Sequence, residues 1–242
     1  MPAPHPSSSV SLDGIEAIVF DLGNTLVPFG TREVKILYSE LEEAFKDELG
    51  PQPDFFMRAN RVRDEMMRER EDGECREITV EEFVDAVSGH RATPTLYERA
   101  NRTMNETMVA ACRIPPGVKG HLERLARNYK LAVLSNYVLT DPIERVVRAL
   151  GVWELFETVE VSATSGFMKP HASLFDSVSA ALGTPREATL MIGDQFYADV
   201  VGGHRAGFKT ALTHEHFEGP TGDPRAPDVR PDFILKSLDE LG

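Results

Sequence analysis

The sequence predicts an α/β fold: a parallel sheet core with helices on both faces, and a helical cap inserted after the first strand. Three observations carry this. Short apolar runs rich in β-branched residues recur along the chain. From residue 130 onward they alternate with amphipathic helical patterns, the signature of a parallel sheet covered on both sides. About 80 residues of purely helical pattern separate the first run from the second.

Taken in order, "AIVFDLG" at 17–23 is the first strand, cut short by Asp21 and a permissive turn. Val34, Ile36, Leu37, Leu41, Phe45 and Leu49 then suit an amphipathic helix, with Ile36 slightly off the stripe. Phe55, Phe56, Ala59, Val62, Met66 and Met67 suit a second. A third opens at "TVEE", where Thr79 and Glu82 have capping-box spacing. A fourth covers about 96–111, and "RIPPG" at 113–117 punctuates the return to the sheet. The later strands are "KLAVLSN" at 130–136, "TVEVSAT" at 158–164, "TLMIGD" at 189–194, "KTALTH" at 209–214 and "DFIL" at 232–235. Between them, Ile143, Val146, Val147 and Leu150 share one helical stripe, as do Leu174, Phe175, Val178, Ala181 and Leu182. The expected organisation is a flexible N-terminus at 1–13, a core at 14–30 and 114–242, and a helical cap at 31–113. An insert at the carboxyl end of a strand lies over the edge where open α/β sheets bind ligands, so the cap is placed as a lid.

The chain has 242 residues and a formal net charge of -13. That charge argues against nucleic acid and against an anionic membrane surface, both of which select clustered Lys and Arg. It does not exclude a small phosphorylated substrate, because a metal ion and one Lys can reverse the potential locally. Cys75 and Cys112 lie in no metal-ligand spacing and read as two reduced thiols. "MPAPHPSSSVSLDG" lacks the basic start and apolar stretch of a signal peptide, and no run is long enough to span a bilayer. A cytoplasmic location is the expectation. Oligomeric state is not legible.

Four polar fragments follow or end predicted strands: Asp21 in "DLGNTL", Ser135 and Asn136 in "LSN", Lys169 in "MKPH", and Asp194 with Asp199 in "GDQFYAD". All carboxyl ends of a parallel sheet face one edge, so these groups can converge. Two carboxylates and a turn carbonyl suit Mg²⁺, which takes hard oxygen ligands. Ser135 and Thr25 offer hydroxyl donors, and Lys169 a positive charge. The set describes a pocket for a phosphoryl group with an Asp nucleophile. Asp199 is placed to orient the metal shell or to hold Lys169.

"DLGNT", "LSN", "MKP" and "GDQFYAD" resemble, in order, the four motifs of the haloacid dehalogenase-like hydrolase superfamily, whose core is Rossmann-like. The resemblance runs from about residue 15 to the closing "PDFILKSLDEL". It implies that Asp21 attacks phosphorus and that Thr25 and Ser135 hold phosphate oxygens, helped by backbone N–H groups near Asn136. It further implies that Lys169 neutralises charge, and that Mg²⁺ is bound by Asp21, Asp194 and the main-chain oxygen of Gly23, with Asp199 in support.

The chain departs from this pattern at Gly23, where family phosphatases usually carry a second Asp as general acid and base. Loss of that group removes a contribution of about 10²–10⁴-fold. Three readings follow. The first is a Mg²⁺-dependent phosphatase that tolerates the loss, with slow hydrolysis of the aspartyl-phosphate and a burst of leaving group. The second is a protein that binds a phosphoryl ligand with little turnover. The third is a metal-independent 2-haloacid dehalogenase, since halide leaves without a proton. In the second cap helix Arg58, Arg61, Arg63, Arg68 and Arg70 read mainly as a solvated face.

Overall fold

The computed structural model describes residues 10–241. Of the expected flexible lead-in at 1–13, residues 1–9 lie outside the described residues. Residues 10–13 depart from that expectation. The Val10 N–H donates to the Glu240 carbonyl at 2.8 Å, and Leu12 packs into the core.

Six strands form one sheet in the order β3-β2-β1-β4-β5-β6, and every neighbouring pair is parallel. They are β1 (Ala17–Phe20), β2 (Lys130–Ser135), β3 (Phe156–Val161), β4 (Thr189–Gly193), β5 (Lys209–Thr213) and β6 (Phe233–Leu235). The central strands are apolar throughout because both faces are covered. Ile18, Phe20, Leu131, Val133, Leu190 and Ile192 point to one face. Ala17, Val19, Ala132, Leu134 and Met191 point to the other. That two-residue alternation divides the core into two layers.

Between β1 and β2 the cap contributes four helices: α1 (Thr31–Leu49), α2 (Phe55–Asp72), α3 (Val80–Ser88) and α4 (Pro94–Ala111). They bury their own cluster around Leu41, Phe45, Phe55, Val84, Leu96 and Ala100. The helical insert thus carries a hydrophobic centre separate from the sheet. The expected capping box opens α3: Thr79 Oγ1 accepts from Glu82 N–H at 3.1 Å, and Glu82 Oε2 accepts from Thr79 N–H at 3.0 Å. After the cap, α5 (Val118–Leu125) and α6 (Thr140–Ala149) cover the first sheet face. A short turn of helix, α7 (Ser162–Ser165), follows β3, and α8 (Ala172–Leu182) covers the second face.

Glu33 ties the two crossings between core and cap. Its side chain is 2% exposed, and Oε2 accepts from the Gly30 N–H at 3.0 Å. Oε1 lies 2.9 Å from Arg32 Nη1 and 3.4 Å from Arg113 Nη2. Burial pushes this carboxyl up, but the Gly30 N–H, Arg32 and Arg113 outweigh it and hold the carboxyl below its ordinary value of 4.5. A depressed carboxyl stabilises the fold above its unfolded value and loses that contribution as pH falls through the folded one. Glu33→Ala should therefore cost about 1–2 kcal/mol in urea unfolding at pH 7, since it removes a cap and partly solvated ion pairs. The gap to the parent protein should shrink by pH 3, and an undiminished gap there would contradict the assignment.

A strap fixes the far side of the cap. The Met168 N–H donates to the Cys75 carbonyl at 2.7 Å, and the Glu77 N–H to the Gly166 carbonyl at 2.8 Å. The buried Ser162 hydroxyl donates to Glu77 Oε2, and Arg225 reaches Glu71 at 2.7 Å. The cap is thus joined to the segment that leads into Lys169. No helix among the described residues is long and apolar enough to cross a membrane, and both cysteines are free thiols.

Candidate active site

The site forms where the strand order reverses. The chain runs from β1 outward through β2 and β3, then returns to β4 on the other side of β1. The carboxyl ends of β1 and β4 therefore border the crevice that such a reversal opens. The Asp21 N–H donates to the Ile192 carbonyl at 2.8 Å, which continues the ladder by one residue and sets Asp21 beside Asp194. Ser135, the last residue of β2, flanks them on the other side.

Lys169 enters from the loop before α8 and is 2% exposed. Its Nζ donates to Asp21 Oδ1 at 2.7 Å, Asp199 Oδ1 at 2.7 Å and the Leu134 carbonyl at 2.8 Å. Those are all the protons an ammonium carries, so the cation is fixed in place. Asp199 and Asp21 raise its pKa against the opposing effect of burial. Asp199 is itself fully used. Its Oδ2 accepts from the Gln195 N–H at 2.9 Å, so one oxygen faces a backbone donor and the other faces Lys169.

Asp199 lies on a π-helical turn, Phe196–Val201, directly after β4. The wider turn brings the carboxylate back over Gly193. A β-carbon on Gly193 would lie 2.0 Å from Asp199 Oδ2 and 2.6 Å from its Cβ. Only glycine fits there. Gly193→Ala should displace Asp199, release Lys169 and cost about 1–3 kcal/mol of stability from overpacking. The checks are a lowered melting temperature together with lost activity. Full activity in the variant would show that this contact is not needed.

The three carboxylates of Asp21, Asp194 and Asp199 offer oxygens that lie within 4.8 Å of one another, and all three residues are buried. Burial, then the charges of Asp21 and Asp199, push Asp194 up to about 8. Burial also raises Asp21, to about 6, because Lys169 offsets only part of the effect. Asp194 Oδ1 is buried with no hydrogen-bond partner among the described residues. Such an orphaned, crowded carboxylate calls for a cation. The free oxygens of an all-oxygen site suit a hard divalent ion. On this observation the residues present fit Mg²⁺.

Not every residue expected at the site reaches it. Thr25 is fully buried, its hydroxyl has no partner among the described residues, and it does not line the cavity. Asn136 lines the cavity, but its amide serves as a brace: Oδ1 accepts from the Lys169 N–H at 2.7 Å and Nδ2 donates to the Lys169 carbonyl at 3.2 Å. Gly23 borders the cavity and forms a bridge with Val27.

Asn24 has more to do than its sequence position suggested. At φ +56° it turns the chain, accepts from the Phe29 N–H at 2.9 Å, and contacts Asp194 Oδ2 at 3.4 Å through Nδ2. An Asn following Gly is a fair signal for a left-handed turn residue, but not for the contact with a residue 170 positions away. The Glu77–Ser162 strap left no recognisable pattern in the sequence. Of the five arginines on α2, only Arg63 lines the cavity. Arg58 and Arg70 instead bind neighbouring cap segments.

The chain resembles known proteins in sequence and in fold. The profile of the family described as haloacid dehalogenase-like hydrolase matches residues 15–207. Pyrimidine 5'-nucleotidase YjjG of Escherichia coli is 29% identical over 145 residues, 59% of this chain and 61% of that protein, so the match spans less than two thirds of the relative. The magnesium-bound structure of putative HAD-hydrolase YfnB from Bacillus subtilis, described as revealing interdomain movement, superposes with a TM-score of 0.69. It is 22% identical and covers 94% of this chain and 96% of the other. The 2-haloacid dehalogenase of Pseudomonas syringae superposes with a TM-score of 0.70 at 20% identity, with the same coverage. Both structural likenesses concern the fold.

Proposed function

This chain belongs to the haloacid dehalogenase-like hydrolase family, and from that premise we propose that it is a Mg²⁺-dependent phosphatase acting on a small phosphorylated metabolite. The observation that carries the reading is Asp194 Oδ1, buried beside Asp21 without a partner among the described residues. It supports a metal-using site over the metal-free dehalogenase reading, which has no use for that acid.

In this reading Asp21 is the nucleophile. Its carboxylate oxygen forms a bond to phosphorus while the bond to the leaving oxygen breaks. Lys169, held against Asp21, keeps that carboxylate ionised and offsets the charge that gathers on the phosphoryl group. Ser135 presents a hydroxyl from the end of β2. Asn136 and Asp199 act through Lys169 by fixing its main chain and its ammonium. Asp21, Asp194 and the main-chain oxygen of Gly23 would hold Mg²⁺, which supplies positive charge that stabilises the phosphoryl oxygens. Water then cleaves the aspartyl-phosphate, and without a base at position 23 this second step is slow.

The test is phosphate release across a panel of phosphorylated metabolites and p-nitrophenyl phosphate. Chelation should lower the rate by about 100-fold or more, and added Mg²⁺ should restore it. Tight binding of phosphate analogues with no release would instead support the binding-protein reading.

A further inference from the structure

We propose that the preferred substrate is a phosphomonoester of a phenol or comparably acidic ring hydroxyl, with its flat ring on the cap side of the cavity. The inference rests on the phosphatase reading above and deepens it.

The first observation is the shape and chemistry of the cavity. It encloses about 670 Å³ between cap and core. Its core end carries Asp21, Ser135, Lys169 and Asp194. Its cap end is walled by Tyr38, Phe56, Met67, Phe83 and Met104. Tyr38 stacks on Phe83 with centroids 6.0 Å apart, and meets Phe56 edge-on at 5.9 Å. A sugar or glycerol chain would bring several hydroxyls against this wall. Two of the polar groups at that end are partly committed: Asn60 Nδ2 donates to the Phe56 carbonyl, and Arg63 is paired with Asp64. Each buried hydroxyl left unmatched costs about 1–3 kcal/mol. A flat ring meets no such penalty and gains from aromatic packing.

The second observation concerns the leaving oxygen. Position 23 provides no proton donor. Both oxygens of Asp199 are engaged, by Lys169 and by the Gln195 N–H. Two cap carboxyls line the cavity: Glu77 is engaged through both oxygens by the Ile78 N–H and Ser162, and Asp64 is ion-paired with Arg63 at 2.8 Å. An alcohol would have to depart as an alkoxide. A phenol, with a pKa of about 10, departs as phenolate without help. The step balances. An Asp21 oxygen bonds to phosphorus, the aryl oxygen leaves with the electron pair of the broken P–O bond, and the phenolate takes its proton from solvent. Hydrolysis of the aspartyl-phosphate then returns Asp21 and releases phosphate.

The experiment has two arms on the intact protein with Mg²⁺. One compares kcat/KM for phenyl phosphate with that for benzyl phosphate, which keeps the ring but leaves as an alkoxide; kcat/KM reads the first half-reaction, untouched by slow dephosphorylation. The expected ratio is about 100-fold or more, and Gly23→Asp should narrow it. The other arm compares inhibition by phenylphosphonate and methylphosphonate, which cannot lose their substituent. The ring should tighten binding by about tenfold or more. Benzyl phosphate within threefold of phenyl phosphate, equal inhibition by the two phosphonates, or faster turnover of glycerol 3-phosphate or uridine 5'-monophosphate would each overturn the inference while leaving a phosphatase in place. Absence of Mg²⁺-dependent release from every ester and from acetyl phosphate would instead remove the phosphatase reading itself.

Discussion

Asp21→Asn is expected to lower phosphate release by roughly 10⁴–10⁶-fold, the scale on which loss of a covalent nucleophile acts. The substitution is nearly isosteric, and it removes only the charge and nucleophilicity of one buried side chain, 7% exposed. The site should stay assembled. Lys169 keeps Asp199 at 2.7 Å and the Leu134 carbonyl at 2.8 Å, and Asp199 keeps the Gln195 N–H. Two changes in stability oppose one another. Lys169 loses one of two counter-charges, while Asp194 loses the like charge that helps push it up to about 8. The melting temperature should therefore move little. The initial burst of leaving group should vanish along with steady turnover, because no bond to phosphorus can form. Release that persists in the variant, with or without a burst, would mean that water or another side chain attacks phosphorus, and Asp21 would lose its role.

The centre of the sheet was legible because β1, β2 and β4 are buried on both faces and stand out as apolar runs ending in polar residues. That same punctuation exposed Asp21, Ser135, Lys169 and Asp194, since the carboxyl ends of parallel strands must share an edge. What it could not give is the direction of a side chain within a turn. Thr25 and Asn24 are neighbours, yet the left-handed turn at Asn24 sends one inward and the other toward Asp194. Asn136 shows a related limit. An amide at a strand end can face a ligand or a neighbouring loop, and only the fold brings the Lys169 main chain within 2.7 Å of it. Asp199 lay between two readings, and its geometry favours the hold on Lys169 through a π-helical turn that five-residue spacing alone does not announce. The long-range contacts made by the cap, Glu77 to Ser162 and Arg225 to Glu71, join segments 85 and 154 positions apart and have no local signature.

Gly23→Asp is expected to raise steady-state turnover, by up to about 10²–10⁴-fold, which is the range that a positioned general acid–base contributes. The turn accepts the change. A β-carbon at Gly23 would lie 3.5 Å from Phe29 Cβ, an ordinary contact, and Gly23 is not among the residues held at positive φ. The position borders the cavity beside Asp21, where a carboxylate can reach the leaving oxygen and later the attacking water. In the parent chain, leaving group should appear in a burst equal to the enzyme concentration, followed by slow release limited by aspartyl-phosphate hydrolysis. In the variant the burst should merge into a faster linear phase, and trapped phosphoenzyme should fall. The substitution adds a further carboxylate to a site where burial and like charge already raise Asp21 and Asp194. Its melting temperature should therefore drop relative to the parent protein in chelator and recover with Mg²⁺. A parent chain without a burst, together with no gain in the variant, would mean that another group already serves as the base for the second half-reaction. The slow step would then lie elsewhere, in release of phosphate or in opening of the cap.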